Sequence, residues 1–190
     1  MAELWDVLDE NGNKTGRLHE RGVRMAEGDF HLVVHVWKFN RKGEWLIDKR
    51  SPHKAEWPDW WETTGGSAVA GDWSDAFHPT RPCNQDDSLT AALRETKEEL
   101  GIDLDPEKGV LFRREVRRHD GGHNFLLDIW VFGHDCGIDE INFPDGESCE
   151  AMWASTDKIR EMTAAGVFWN YPYFEEMIMF INDKTKKGGV

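Results

Sequence analysis

One segment near the middle of the chain, Ser88 to Leu100, does most to limit the possible folds. Its apolar residues recur at helical spacing, Asp87 or Ser88 can cap its start, and Gly101 closes it. At ~100° per residue, Leu89, Ala92, Leu93, Thr96 and Leu100 fall on one side, the natural core face. Glu95, Glu98 and Glu99 gather on another, beside Ala91, while Lys97 points away. Only Arg94 is placed to help neutralise them, through its i,i+4 relation to Glu98. Three carboxylates this close repel each other unless something positive sits among them. Hard oxygen ligands of this kind suit Mg²⁺ or Mn²⁺, which also grip phosphate oxygens. A solvated row of glutamates has the same spacing, because E-x-x-E-E is common on exposed helices. The spacing alone leaves both readings open.

Around this helix the sequence alternates strand and turn signals. Trp5–Leu8, the turn Asp9-Glu10-Asn11-Gly12 and Lys14–Leu18 predict an N-terminal hairpin. Leu32–Phe39 and Glu44–Asp48 predict two strands joined at Asn40-Arg41-Lys42-Gly43. Ser51–Trp61, with Pro52, Pro58 and three Trp, reads as a loop, followed by a sharp turn or close approach at Thr63-Thr64-Gly65-Gly66. Residues 72–87 read as an inserted polar loop. Further strands are predicted at Val110–Arg118, Phe125–Phe132 and Ala151–Ala154, and helices at Thr156–Ala165 and Tyr171–Asp183. The expectation is one domain over residues 1–190: a hairpin extension over 1–28, a mixed sheet packed between helices, and a frayed tail over 184–190.

Charge narrows the partners. A formal charge of −13, from 36 acidic and 23 basic side chains, repels nucleic-acid backbones and anionic membranes. It repels a phosphorylated small molecule too, unless divalent cations screen the site. Cys83, Cys136 and Cys149 lack pair spacing, which suits a reducing compartment and argues against structural zinc. With no apolar run of membrane-spanning length and no basic, apolar N-terminus, the chain reads as cytoplasmic.

The segment Arg94-Glu95-Thr96-Lys97-Glu98-Glu99-Leu100-Gly101-Ile102 resembles the second half of the Nudix box, G-x5-E-x7-R-E-U-x-E-E-x-G-U, with U aliphatic. Gly65-Gly66-Ser67-Ala68-Val69-Ala70-Gly71-Asp72 is similar to its first half, so the box spans 65–102. An uninterrupted box would place the Arg 14 residues after Gly66, at position 80. It stands at 94, so 14 residues are inserted, near 73–86. Asp72 or Asp86 replaces the first Glu, and Thr96 replaces an aliphatic residue. The resemblance implies an α/β fold, a Nudix-type α/β/α sandwich with a mixed sheet, and water attack at phosphorus in a nucleoside diphosphate derivative or similar small molecule. It implies Glu98 and Glu99 as the main Mg²⁺ ligands (Mn²⁺ as an alternative), Glu95 as a further ligand, and Arg94 as the residue orienting them. The Gly65 or Gly66 carbonyl would join the metal shell. The resemblance also makes a homodimer an expectation.

Upstream, Phe30-His31-Leu32, Val36–Asn40, Lys49-Arg50-Ser51 and Trp57-Pro58-Asp59-Trp60-Trp61 resemble isopentenyl-diphosphate isomerase and the Nudix hydrolases nearest to it. Where that isomerase has its catalytic Cys and a metal-binding His, this chain has Gly66 and Ala68, which favours hydrolysis. An isomerase-like enzyme and a non-catalytic ligand-binding module remain the alternatives.

Beyond the box, the resemblance points to an acidic residue near Trp153 as a base for the attacking water: Glu150 or Glu147, with Glu147 also a substrate contact and Glu140 a weaker candidate. Arg50, with Lys49, is a candidate phosphate contact, and Trp61, with Trp57 and Trp60, lines the pocket mouth or packs the loop. His119 and His123 flank Asp120-Gly121-Gly122 and are explained by a polar hairpin turn or by phosphate contact. His31 and His35 share a strand face and read as a pair of satisfied histidines.

Overall fold

The structure is a computed structural model, and it describes residues 3–70, 83–119 and 123–186. Asp72, the turn residues 120–122 and the end of the tail lie outside them, as do the side chains of Cys83 and Asp86.

The N-terminal hairpin pairs β1 (Leu4–Leu8) with β2 (Lys14–Glu20). Asp9 builds its turn: one carboxylate oxygen accepts from the backbone N–H of Asn11 and of Asn13, and Gly12 takes φ 83°. The main sheet runs β5 (Trp61–Glu62), β4 (Trp45–Arg50), β3 (His31–Phe39), β8 (Phe125–Gly133), β7 (Gly109–Arg117). Two further strands join it: β6 (Thr64–Ser67) on β3 and β9 (Ser148–Ala154) on β4. β3 and β8 are parallel and their neighbours antiparallel, so the sheet is mixed.

The central strand β3 forks the sheet. Its C-terminal residues Lys38 and Phe39 pair with β4, while Val33–Val36 pair with β6. The glycines of β6 permit this: a β-carbon at Gly65 would stand 3.1 Å from the Val34 carbonyl. Of the sharp turn or close approach expected at this segment, the close approach is the one that forms. The backbone makes a short strand, because β3 offers unpaired donors and acceptors that a glycine-rich segment can approach.

Alternation along β3 supplies both faces. Leu32, Val34 and Val36 meet α1 (Cys83–Leu100) through Leu89, Ala91, Ala92 and Leu100. Trp37, with Ile47 and Ile129, meets α2 (Thr156–Ala164) and α3 (Phe174–Lys186) through Ile159, Met162 and Met177. Sheet between helices is the expected α/β/α sandwich.

The differences at the element ends have local causes. α1 begins at Cys83, inside the segment read as inserted loop, and the preceding Pro82 and early acidic residues suit a helix start. α3 begins at Phe174 rather than Tyr171, since Pro172 disfavours helical backbone at the residue before it. It continues to Lys186, into the segment expected to fray.

Candidate active site

Helix α1 is anchored in its first half and closed at its C-terminal end before its acidic face matters. The buried Trp130 indole donates to the Ser88 hydroxyl (2.6 Å), and beyond Leu100 the chain turns at Gly101, φ 72°. The face carrying Ala91 and Ala92 packs without bulk against the sheet, so Glu95 and Glu99 are drawn down to the fork while Glu98 stays half exposed at the rim.

Gly66 makes room for Glu95. A β-carbon at residue 66 would stand 2.1 Å from the Glu95 carboxyl carbon, so only glycine leaves this cradle open. Arg94 lies across the rim. Its guanidinium is 3.0 Å from Glu95 and 2.8 Å from Glu98, and it donates to the Ser67 carbonyl at 2.9 Å. Arg94, expected to orient the glutamates, is thus in contact with both Glu95 and Glu98.

Glu99 turns inward to partners that the sequence pattern did not single out. Strands β3, β4 and β5 bring Lys38, Asp48 and Glu62 beneath it. Lys38 is fully buried and donates to Thr64 Oγ1 (2.6 Å), while Asp48, also fully buried, accepts from Ser148 Oγ (2.7 Å) and Thr64 Oγ1 (3.4 Å). Glu62 stands opposite Asp48 in register and pairs with Arg50 at 2.7 Å. Charges embedded in apolar strands, Lys38 between Trp37 and Phe39 and Asp48 after Leu46-Ile47, were the signal in the sequence.

Burial dominates the electrostatics. It pushes Glu95 up to about 7 against the pull of Arg94, with Glu98 adding to the rise. It also pushes Glu62 up to about 7, helped by the Asp48 carboxylate. Glu99 rises well above the carboxylate range through burial and the fields of Asp48, Glu62 and Glu95. Lys38 is lowered to about 8 by burial, opposed by Asp48 and Glu99. Four crowded carboxylates thus face Lys38, Arg50 and Arg94, a hard-oxygen set short of positive charge, which is the chemistry a divalent cation relieves. Among the described residues no three His, Cys, Asp or Glu side chains already stand close enough to hold an ion. Arg94 fills the gap between Glu95 and Glu98, and Glu99 faces the network below. The donor types and the cradle at Gly66 fit a Mg²⁺-like ion, while the side chains of α1 must rearrange to enclose it.

The other candidates separate by sheet face. A bulge in β9 at Cys149 changes its register against Lys49 and Arg50, turning Ser148 toward Asp48 while Glu150 follows Met152 and Ala154 to the face covered by α2 and α3. There Glu150 pairs with Lys49 at 3.0 Å, and it is not brought to the glutamates of α1. Glu147 lies on the near side. It pairs with Lys54 at 2.6 Å, and its charge is felt by Glu95 and Arg50.

Arg50 pairs with Glu62 rather than standing free for phosphate. The ring of Trp61 packs into the second core, and Trp57 and Trp169 line the adjoining cavity instead. Glu140 begins no site: it closes a short 3₁₀ turn by accepting from the Gly137 N–H. His35 Nδ1 lies 2.6 Å from the Tyr173 hydroxyl, whereas His31 stacks on Trp5 with its Nδ1 unpartnered, so the two are not equally satisfied. His119 stacks on Phe125.

Residues 29–177 match the NUDIX domain family. Over 184 residues the chain is 31% identical to an uncharacterized Nudix hydrolase of Listeria monocytogenes, covering 96% of this chain and 98% of that protein. It is 29% identical to the isopentenyl-diphosphate Delta-isomerase of Escherichia coli over 104 residues, 55% of this chain and 50% of the isomerase. The crystal structure of a Deinococcus radiodurans protein superposes with a TM-score of 0.65 at 18% identity, covering 93% of this chain and 98% of that one.

Proposed function

This chain belongs to the NUDIX domain family as a hydrolase acting on pyrophosphate bonds, and from that premise we propose that it cleaves a small-molecule diphosphate in a metal-dependent reaction. The substrate class is a nucleoside diphosphate derivative or a similar compound. The observation that carries this reading is the cradle at Gly66, which holds the Glu95 carboxylate against β6 above a network that is short of positive charge.

Glu95, Glu98 and Glu99, with the Gly66 backbone, would hold Mg²⁺ or Mn²⁺. When bound, the ion supplies charge neutralisation for the diphosphate and lowers the pKa of an attacking water. The chain's own residues do the rest. Arg94, tied to Ser67, keeps Glu95 and Glu98 from splaying. Lys38 and Thr64 fix Asp48 beneath Glu99 and resist its collapse into the sheet. Glu147, on the same side as α1, is the carboxylate placed to accept a proton, and this reading takes it in preference to Glu150.

Isomerisation of a prenyl diphosphate is the poorer reading, since Gly66 and Ala68 bring no acid and Ala68 is packed into the first core. The reading includes a cytoplasmic location, in keeping with the free thiols of Cys136 and Cys149, and a homodimer, which the family resemblance suggests. No helix among the described residues is long and apolar enough to cross a membrane.

The test is a hydrolysis screen of nucleoside diphosphate derivatives, nucleoside triphosphates and prenyl diphosphates with Mg²⁺ and then with chelator. Turnover that requires the ion and falls by orders of magnitude in Glu98→Gln is expected. Turnover indifferent to chelator, or unchanged in that variant, would overturn the reading.

A further inference from the structure

Glu147, read as the proton acceptor, has a place that its own strand does not dictate. It stands one residue before β9 begins at Ser148, so strand alternation does not fix its direction. Its backbone is held instead. The Ser51 N–H donates to its carbonyl at 2.8 Å, and its own N–H donates to Asp145 Oδ1 at 2.9 Å. The first of these bonds depends on where the start of β9 lies against the end of β4, and there the register is irregular. Lys49 opposes Glu150 and Arg50 opposes Ser148, so Cys149 is the extra residue of the bulge.

A bulge competes with regular pairing. Were this one to close, Cys149 would oppose Arg50 and take the place of Ser148 against β4. Glu147 would then move along β4 by one residue, ~3.3 Å, and leave Ser51. A proton acceptor must stand within hydrogen-bond reach of its water, so a shift of that size disarms it.

The two registers differ in what they offer a buried acid. Asp48 is fully buried, and its Oδ2 accepts from the buried Ser148 hydroxyl at 2.7 Å. Its Oδ1 accepts a longer bond, 3.4 Å, from Thr64, whose hydroxyl in turn accepts from Lys38 at 2.6 Å. Ser148 thus makes the shorter of these bonds to a carboxylate withdrawn from water. The closed register would present the Cys149 thiol in its place, a weak donor where a carboxylate short of partners is strongly disfavoured. A well-packed apolar residue at position 48 would accept either register, whereas an acid that needs a hydroxyl accepts one.

We propose that Asp48 and Ser148 form a register latch: their buried hydrogen bond holds the bulge at Cys149 and so sets Glu147 at the rim of the site. Ser148 is thereby a positioning residue for the hydrolysis, acting through Glu147. The proposal rests on the reading of Glu147 as the base, but its first test needs neither metal nor substrate.

Hydrogen exchange followed by NMR reads the latch in the intact, metal-free chain. The Ser51 amide is the reporter, because its acceptor is the Glu147 carbonyl. Ser148→Ala lowers its protection roughly tenfold, while the amides between β3 and β8 stay protected. In turnover of the best substrate from the hydrolysis screen, with Mg²⁺, Ser148→Ala lowers kcat roughly tenfold or more and leaves KM within about twofold. The acid limb of its pH profile changes as in Glu147→Gln. The double variant Ser148→Ala/Glu147→Gln is no slower than Glu147→Gln alone, since both changes remove one function. Ser148→Cys keeps the shape of the side chain and donates weakly, so it makes the same comparison without opening a void and loses less.

Unchanged Ser51 protection in Ser148→Ala, or losses that add in full in the double variant, would overturn the latch. Protection lost in Ser148→Ala, with wild-type turnover in Glu147→Gln, would sink the base reading and leave the latch standing. Glu147→Gln depressed with Ser148→Ala turning over like the wild type would do the reverse.

Discussion

The carboxylate of Glu95 occupies the space where residue 66 would carry a side chain: a β-carbon built on Gly66 meets Glu95 Cδ at 2.1 Å and its two oxygens at 2.2 and 2.4 Å. Helix α1 and strand β6 therefore meet at a glycine facing an acid.

Replacing Gly66 by Ala tests that contact. The obstructing atoms are the end of a flexible side chain, so Glu95 swings away while the backbone holds. We expect Gly66→Ala to melt within a few degrees of wild type and to lose roughly tenfold to a hundredfold in divalent affinity or turnover. Thermal melts and Mg²⁺ titrations read the two separately. A collapse in Tm with Mg²⁺ affinity intact would mean that the clearance serves packing alone.

Glu99 trades stability for chemistry. It is 7% exposed and surrounded by Asp48, Glu62 and Glu95, so its charge is unwelcome in the metal-free protein. Glu99→Gln should raise the metal-free Tm by a few degrees, the shift that about 1–2 kcal/mol produces at this chain length. It should also abolish most of the stabilisation that Mg²⁺ gives the wild type. A Tm lowered by the substitution would count against a repulsive site.

Glu62 sets a pH dependence with a definite sign. Its folded pKa, about 7, lies above the usual carboxylate value of 4.5, so the folded chain binds more protons than the unfolded chain between those limits. Stability from this group is complete below pH 4.5 and is lost as pH rises through 7. Asp48, Glu99, Lys38, Arg50 and Lys54 are charges facing it. His31, lowered to about 4 by burial, slopes the other way and loses stability as pH falls from 6.5 toward 4. In chelator, Tm should therefore decline from about pH 7.5 to about 8.5, above the range in which His31 titrates in either state. Glu95, also pushed up to about 7, slopes the same way, so Glu62→Gln should make that decline shallower without abolishing it. A decline of the same steepness in the variant would remove Glu62 as its cause.

Two acids near Trp153 divide by sheet face. Glu150 pairs with Lys49 on the α2/α3 side, and Glu147 pairs with Lys54 on the α1 side. Steady-state kinetics should find Glu150→Gln within a few-fold of wild type and Glu147→Gln depressed in kcat, with the acid limb of its pH profile altered. The opposite order would restore Glu150 as the base.

Much of this was legible in the sequence for local reasons. The helical spacing around Arg94 and Glu98, the apolar alternation of β3 and the glycine closing α1 are short-range signals, set by steric and hydrogen-bonding rules within a few residues. They placed the glutamates on one helix and the strands in a mixed sheet. The family resemblance then supplied their roles.

What only the tertiary structure decided is which distant charges share a buried space. Lys38, Asp48 and Glu62 come from three strands and meet under Glu99 only because β3 forks between β4 and β6. The face shown by Ser148, opposite to that of Glu150, turned on a single bulge at Cys149, since side chains alternate with period two and one extra residue reverses every position beyond it. Long-range pairing and register are properties of the assembled sheet, so no local pattern in the chain could specify them.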